Sequence, residues 1–135
     1  SEENKAIIEE KAKGLDFEWL GVKKPTEIRK ILAECDYMIL PSSSEGFGLV
    51  DLDAIACGVP VIIPQHLPLA QEGYILNESN SIRIADSSSK AIEAVLPSLQ
   101  ESKWDRKTVS ESIISYTWDN IAKEYEAQFA SLIKK

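Results

Sequence analysis

The chain has few of the residues that build covalent or metal staples. Of its 135 residues, two are cysteine, one is histidine and one is methionine. Cys35 and Cys57 form no CxxC pair, and neither stands at metal-ligand spacing from His66. A disulfide framework and a zinc module are therefore excluded. The two thiols read as buried, reduced groups within helices, in keeping with a cytosolic protein. Positive charge is also in short supply: 15 Lys and Arg face 22 Asp and Glu, a formal charge of −7. No basic run of five or more residues occurs, so a nucleic-acid-binding surface is not expected. No apolar run approaches the roughly 18 residues needed to span a bilayer, so direct membrane insertion is not expected either. The N-terminal segment is acidic with a helical pattern, unlike a signal peptide. What remains is an ordinary globular composition, 44% hydrophobic, over the length of one domain.

The pattern along the chain is one of alternating helices and strands. Residues Asn4 to Lys13 form a charged surface helix stopping near Gly14. Asp16 to Val22 alternates Phe17, Trp19 and Gly21 against Glu18 and Leu20, the period of a strand. After the Lys23–Thr26 turn, Ile28, Ile31, Leu32 and Cys35 recur at i, i+3, i+4 and i+7, which predicts an amphipathic helix. Tyr37 to Leu40 and Pro60 to Pro64 are short apolar runs, expected as strands covered on both faces. Gln65 to Asn80 reads as loop, and Ser81 to Ala85 as an edge strand.

From Ser87 onward the pattern is helical. One stripe (Ile92, Val95, Leu96, Leu99) is expected to break at Pro97 and end near Ser102. Lys107 to Tyr116 predicts a second helix with Val109 and Ile113 inward. A last helix is predicted with Thr117 as N-cap and a stripe at Trp118, Ile121, Ala122, Tyr125, Phe129 and Leu132. This order predicts an α/β fold: a partial Rossmann-like three-layer domain over residues 1–135, with about four mainly parallel strands, helices on both faces and a helical C-terminus. A doubly wound nucleotide-binding unit has about six strands. The chain therefore reads as one from which a leading strand–helix–strand is missing.

The most informative stretch is Tyr37 to Pro60: a strand, a small-residue loop, a helix and a Gly58 stop. A glycine-bearing loop between strand and helix presents backbone N–H groups to an anion. Gly46 and Gly48 permit close approach of a ligand, and the helix dipole favours a diphosphate by roughly 0.3–1 kcal/mol at an exposed site. Glu45 is the loop's carboxylate. Gly46, Leu49 and Asp53 are expected on one helix face, where Asp53 suits the two hydroxyls of a ribose.

Glu45-Gly46-Phe47-Gly48-Leu49-Val50, followed by Asp53-Ala54-Ile55-Ala56-Cys57-Gly58-Val59-Pro60-Val61-Ile62, resembles the signature of family 4 of the retaining glycosyltransferases. Trp19-Leu20-Gly21 is similar to that family's upstream strand end, and Ser115-Tyr116-Thr117-Trp118 to the opening of its terminal helix. The resemblance implies a GT-B architecture, two Rossmann-like domains with the active site between them. This chain corresponds to the later part of the C-terminal, donor-binding domain.

By the resemblance, Glu45 is the catalytic-site carboxylate that bonds hydroxyls of the donor sugar. Gly46, Phe47, Gly48 and Leu49 face the sugar and diphosphate, Asp53 the nucleotide ribose, Gly21 and Val22 the base, and Pro41 and Ser42 flank the diphosphate. The family uses no metal or other cofactor; its substrate is a nucleotide diphosphate sugar, from which a hexose passes to an acceptor hydroxyl. Phosphate charge is met by an Arg–Lys pair and the helix N-terminus.

The match departs from the family in three places. Asp53 stands where a glutamate is usual. The loop after Pro64 lacks the usual glycines and has Glu72 for its acid. The first strand–helix–strand, its Arg–Lys pair and the acceptor domain are not found. The 135 residues alone are therefore expected to be inactive, requiring an N-terminal acceptor domain or partner chain. A cytoplasmic location is expected, or a peripheral one at the inner membrane face through that missing domain. The alternative reading is a non-catalytic module derived from the same fold that completes or braces a partner chain.

Overall fold

A computed structural model describes residues 2–71, 75–101 and 104–133. Glu72 and the position near Ser102 where a helix end is expected lie outside the described residues. Among these residues seven α-helices, a short 3-10 turn and three strands follow one another. They are α1 (Glu2–Lys11), α2 (Pro25–Glu34), β1 (Met38–Ile39), α3 (Leu49–Ala56), β2 (Val61–Pro64), α4 (Pro68–Gln71), β3 (Ser81–Ile84), α5 (Ser89–Glu101), α6 (Arg106–Glu111), the 3-10 turn (Ile114–Tyr116) and α7 (Trp118–Ile133). The expected α/β class is what forms, with a parallel sheet in the order β1-β2-β3.

The sheet has three strands rather than about four, because residues 16–22 stay unpaired. Their alternation is real, but a strand requires a neighbour for its N–H and C=O groups. No described strand lies beside them, and Val22 is fully exposed. β2 is central, and all four of its residues are buried. β1 is an edge, so Ile39 stays 38% exposed instead of being covered on both faces. Alternation along β2 sends Val61 and Ile63 into one cluster with Leu32, Ala54, Ile55, Leu69 and Val109. Ile62, pointing the other way, is equally enclosed. α5 packs against β3, and the Tyr37 hydroxyl donates to the Leu99 carbonyl at 2.9 Å, tying α5 to the start of β1.

Local chemistry fixes the helix ends. Pro25 occupies the first helical position of α2, and the Lys24 N–H donates to the Glu27 carboxylate at 2.9 Å. α3 stops at Gly58 with φ +77°: the Gly58 N–H reaches the Ile55 carbonyl at 2.8 Å and the Val59 N–H the Ala54 carbonyl at 3.0 Å, a Schellman closure. Pro97 does not break α5, which runs through it to Glu101. Proline removes one helix N–H, but Glu93 and Pro97 are exposed, so water can serve the freed carbonyl. Asp105 caps α6, accepting from the Thr108 N–H and hydroxyl, both at 2.7 Å, which holds its carboxyl below the usual range. Val109 and Ile113 point inward as expected. Thr117 precedes α7, and its carbonyl accepts the first helical bonds. The α7 stripe is not enclosed among the described residues: Trp118, Tyr125, Phe129 and Leu132 are all more than half exposed.

Among the described residues, the polar side chains of Asp51 and Asn80 are fully enclosed in this apolar interior. Asn80 is satisfied: it donates to the Ile75 carbonyl (3.0 Å) and the Ser112 hydroxyl (2.9 Å) and accepts from the Asn77 N–H (2.9 Å). Asp51, in the first turn of α3, is fully buried, and neither carboxylate oxygen has a hydrogen-bond partner among the described residues. Burial, and secondarily the Glu45 carboxylate, pushes its carboxyl from 3.8 up to about 6.

The two features have measurable consequences. A Cβ on Gly58 would stand 2.7 Å from the Arg106 carbonyl oxygen, on top of the left-handed backbone. Gly58→Ala is expected to cost about 2–4 kcal/mol in urea unfolding. Asp51 is bound by its proton more tightly when folded than unfolded, so stability falls as pH rises from about 4 to about 6 and stays lowered above. The loss is of the order of 2–3 kcal/mol. In Asp51→Asn, urea midpoints measured across that window should lose most of this slope.

Candidate functional site

In a parallel sheet, loops leaving the carboxyl ends of adjacent strands converge. Here the loop after β1 (residues 40–48) and the one after β2 (65–67) do so, with residues 85–88 following β3. They are fastened to one another. The Ser87 hydroxyl donates to the Ser42 carbonyl at 2.6 Å, and the His66 Nε2 lies 3.2 Å from the Ser43 carbonyl. The Gln71 amide holds the His66 carbonyl at 3.2 Å. The Ser42 hydroxyl donates to the Glu45 carboxylate at 2.7 Å, which fixes Glu45, half-buried, on the loop's inner side.

Gly48 turns the loop into α3. It is buried, with φ +91°, and a Cβ there would stand 2.7 Å from Asp51 Oδ2 and 3.4 Å from Leu69 Cδ2. The left-handed backbone is what calls for glycine here, and any side chain would also have to displace the Asp51 carboxylate. The result is a helix start whose Phe47, Gly48, Leu49 and Val50 N–H groups donate to no acceptor among the described residues. Around Gly46 there is open space, and Phe47 and Leu49 are exposed beside it. Such a cluster of free N–H groups at the positive end of a helix can hold an anion.

Of the residues singled out in the sequence, Ser42, Glu45, Gly46, Phe47, Gly48 and Leu49 come together in this loop and helix start, with Pro41 at its entrance. Leu49 and Asp53 share an exposed face of α3. Gly46 lies two residues before the helix N-cap, so it does not share that face. Gly21, with φ +65°, and Val22 belong to the unpaired segment, and among the described residues no hydrogen bond joins them to the Glu45 loop.

Sequence reasoning overlooked Asp51, which sits beneath Gly48, and Ser87, which anchors the loop from after β3. An acid in the first turn of an otherwise apolar helix was the available sign for Asp51; nothing local marks Ser87. Among the described residues no group of three His, Cys, Asp or Glu side chains is placed to hold a metal ion, and no helix is long and apolar enough to cross a membrane.

The chain is 28% identical over 121 residues to the N-acetyl-alpha-D-glucosaminyl L-malate synthase of Bacillus anthracis, a match over 85% of this chain and 31% of that protein. It is 24% identical over 131 residues to a GDP-mannose-dependent alpha-(1-6)-phosphatidylinositol dimannoside mannosyltransferase of Mycobacterium tuberculosis, covering 95% of this chain and 33% of the other. The sucrose-phosphate synthase structure from Thermosynechococcus elongatus superposes with a TM-score of 0.73 at 21% identity, over 98% of this chain and 34% of that one. The chain thus spans about a third of each of these proteins. Residues 1–114 match the family model described as glycosyl transferases group 1. With that model covering most of its length and the same layered fold beneath it, the chain belongs to the group 1 glycosyl transferases.

Proposed function

We propose that this chain is the nucleotide-sugar-binding part of a family 4 retaining glycosyltransferase, which transfers a hexose from a nucleotide diphosphate sugar to an acceptor hydroxyl. The observation that carries the reading is the fastened Glu45–Gly48 loop, which delivers unpaired N–H groups at the start of α3 beside a half-buried carboxylate. In this reading those N–H groups accept the charge that builds on the leaving diphosphate. They are already oriented and require no rearrangement as the bond breaks. Glu45, held by Ser42, accepts hydrogen bonds from the donor-sugar hydroxyls and sets the orientation of the anomeric carbon. Asp53 accepts the ribose hydroxyls from the exposed face of α3, with Gly21 and Val22 toward the base and Pro41 and Ser42 along the diphosphate.

Transfer then proceeds on one face of the sugar, the leaving phosphate oxygen taking the acceptor proton, with no metal ion required. The GDP-mannose dependence in the name of the mycobacterial relative supports a nucleotide diphosphate sugar as donor. Because the chain spans about a third of its relatives, residues 1–135 are proposed as donor-site domain only, acting with an acceptor domain in the cytoplasm or at the inner membrane face.

The test is a titration of the isotopically labelled chain with UDP, GDP and ADP, followed by amide NMR. At least one nucleotide is expected to shift the Gly46–Leu49 amides saturably; if none does so at millimolar concentration, the reading is wrong. Glu45→Gln should weaken a nucleotide sugar about fivefold or more while leaving the bare nucleotide's affinity unchanged. Asp53→Glu, which adds the methylene the family usually has, should tighten nucleotide binding, and Asp53→Ala should weaken it by a comparable factor, both read in the same titration.

A further inference from the structure

At the opposite ends of the strands from the Glu45 loop there is a cleft of about 490 Å³. Tyr37, just before β1, Pro60, just before β2, and Trp104 and Arg106, at the start of α6, are among its lining residues. That volume is in the range of sites that hold small molecules. Nothing in the donor-site reading uses it.

The cleft's walls are fixed in place. α6 begins directly on Gly58, whose missing Cβ leaves room for the Arg106 backbone. The Asp105 cap holds that first turn. From there the Arg106 guanidinium crosses to the Cys35 carbonyl at the end of α2. This contact uses one N–H and leaves the others for a ligand. The Tyr37 hydroxyl spends its proton on the Leu99 carbonyl and keeps its lone pairs. The Trp104 ring packs against the apolar core, with its indole N–H buried and without an acceptor among the described residues.

The chemistry of the lining is specific. Among the described lining residues Asp36 and Arg106 contribute one charge of each sign, which favours neither a polyanion nor a polycation. It offers two aromatic rings together with planar polar groups, the Asp36 carboxylate, the Gln100 amide and the Arg106 guanidinium. Rings of this kind cover C–H faces, and planar groups accept from and donate to paired hydroxyls. A hydroxylated ring presents both surfaces at once. We propose that this cleft binds a neutral saccharide of one or two rings, seated on Tyr37 and Trp104 and held through Asp36, Gln100 and Arg106.

Glucose, mannose and maltose titrated separately into the labelled 135-residue chain test this. The expected result is a saturable shift of the Trp104 indole N–H and the Arg106 amide by at least one sugar at millimolar concentration, with Gly46–Leu49 unmoved. Asp36 and Gln100 are exposed, so Asp36→Ala and Gln100→Ala should keep the folded spectrum. Each is expected to weaken that sugar about fivefold or more. Three results would overturn the proposal. They are no saturable shift up to concentrations on the order of 100 mM, a shift that neither variant alters, and a response confined to Gly46–Leu49. A tighter response of the cleft to glycine or inorganic phosphate than to any sugar would also reject a neutral saccharide. Because the sugars carry no nucleotide, failure here and failure of the donor-site reading are separately visible.

Discussion

The absence of a side chain at residue 48 governs the arrangement of the rest. The strand β1 must end, cross to the helix that covers the sheet, and leave the helix start open. Those requirements meet at one backbone position, where φ is +91° and the surrounding space is filled by Asp51 and Leu69. The loop cannot slide outward because Ser87 holds it from after β3, nor relax upstream because Ser42 is bonded to Glu45. β2 supplies the rigid floor, being buried on both faces and paired on both edges. The open N–H groups at the start of α3 follow from these constraints.

Asp51 is the cost of that geometry. A carboxyl enclosed under the loop, with neither oxygen bonded, lowers stability once it ionises. It lies at the start of α3, where a negative charge is favoured by the helix dipole and disfavoured by burial, and the raised value near 6 indicates that burial wins. The opposite end of the sheet is built by different means. There a second glycine, Gly58, lets α6 approach, and Arg106 and Tyr37 fix the walls through main-chain carbonyls. Two glycines at the two ends of one helix thus shape unlike surroundings, an open helix start at Gly48 and a cleft beside Gly58.

Much of this was legible in the sequence, wherever the signal was local. The β-branched run Val61 to Ile63, the Gly58 stop and the 3.6-residue period of α2 each carry their own physics, and each forms as read. The Glu45–Leu49 loop was legible because a glycine-bearing stretch between an apolar run and a helix is a local pattern that opens the helix start. What escaped depends on distant partners. Residues 16–22 alternate correctly but have no described strand to pair with. Pro97 reads as a breaker, yet an exposed helix face tolerates it. Asp51 and Asn80 are polar, so a periodic pattern places them outside; only the packed structure shows one enclosed without a partner and the other enclosed with three. Ser87 is one serine among several, and its hydrogen bond to Ser42 crosses 45 residues.

The most direct test of the central claim is a crystal structure of this chain with a nucleoside diphosphate bound. The terminal phosphate is expected within hydrogen-bond distance of the Gly48 and Leu49 N–H groups, with the ribose hydroxyls at Asp53. A diphosphate seated on Arg106 at the other end of the sheet, with the start of α3 left open, would contradict it.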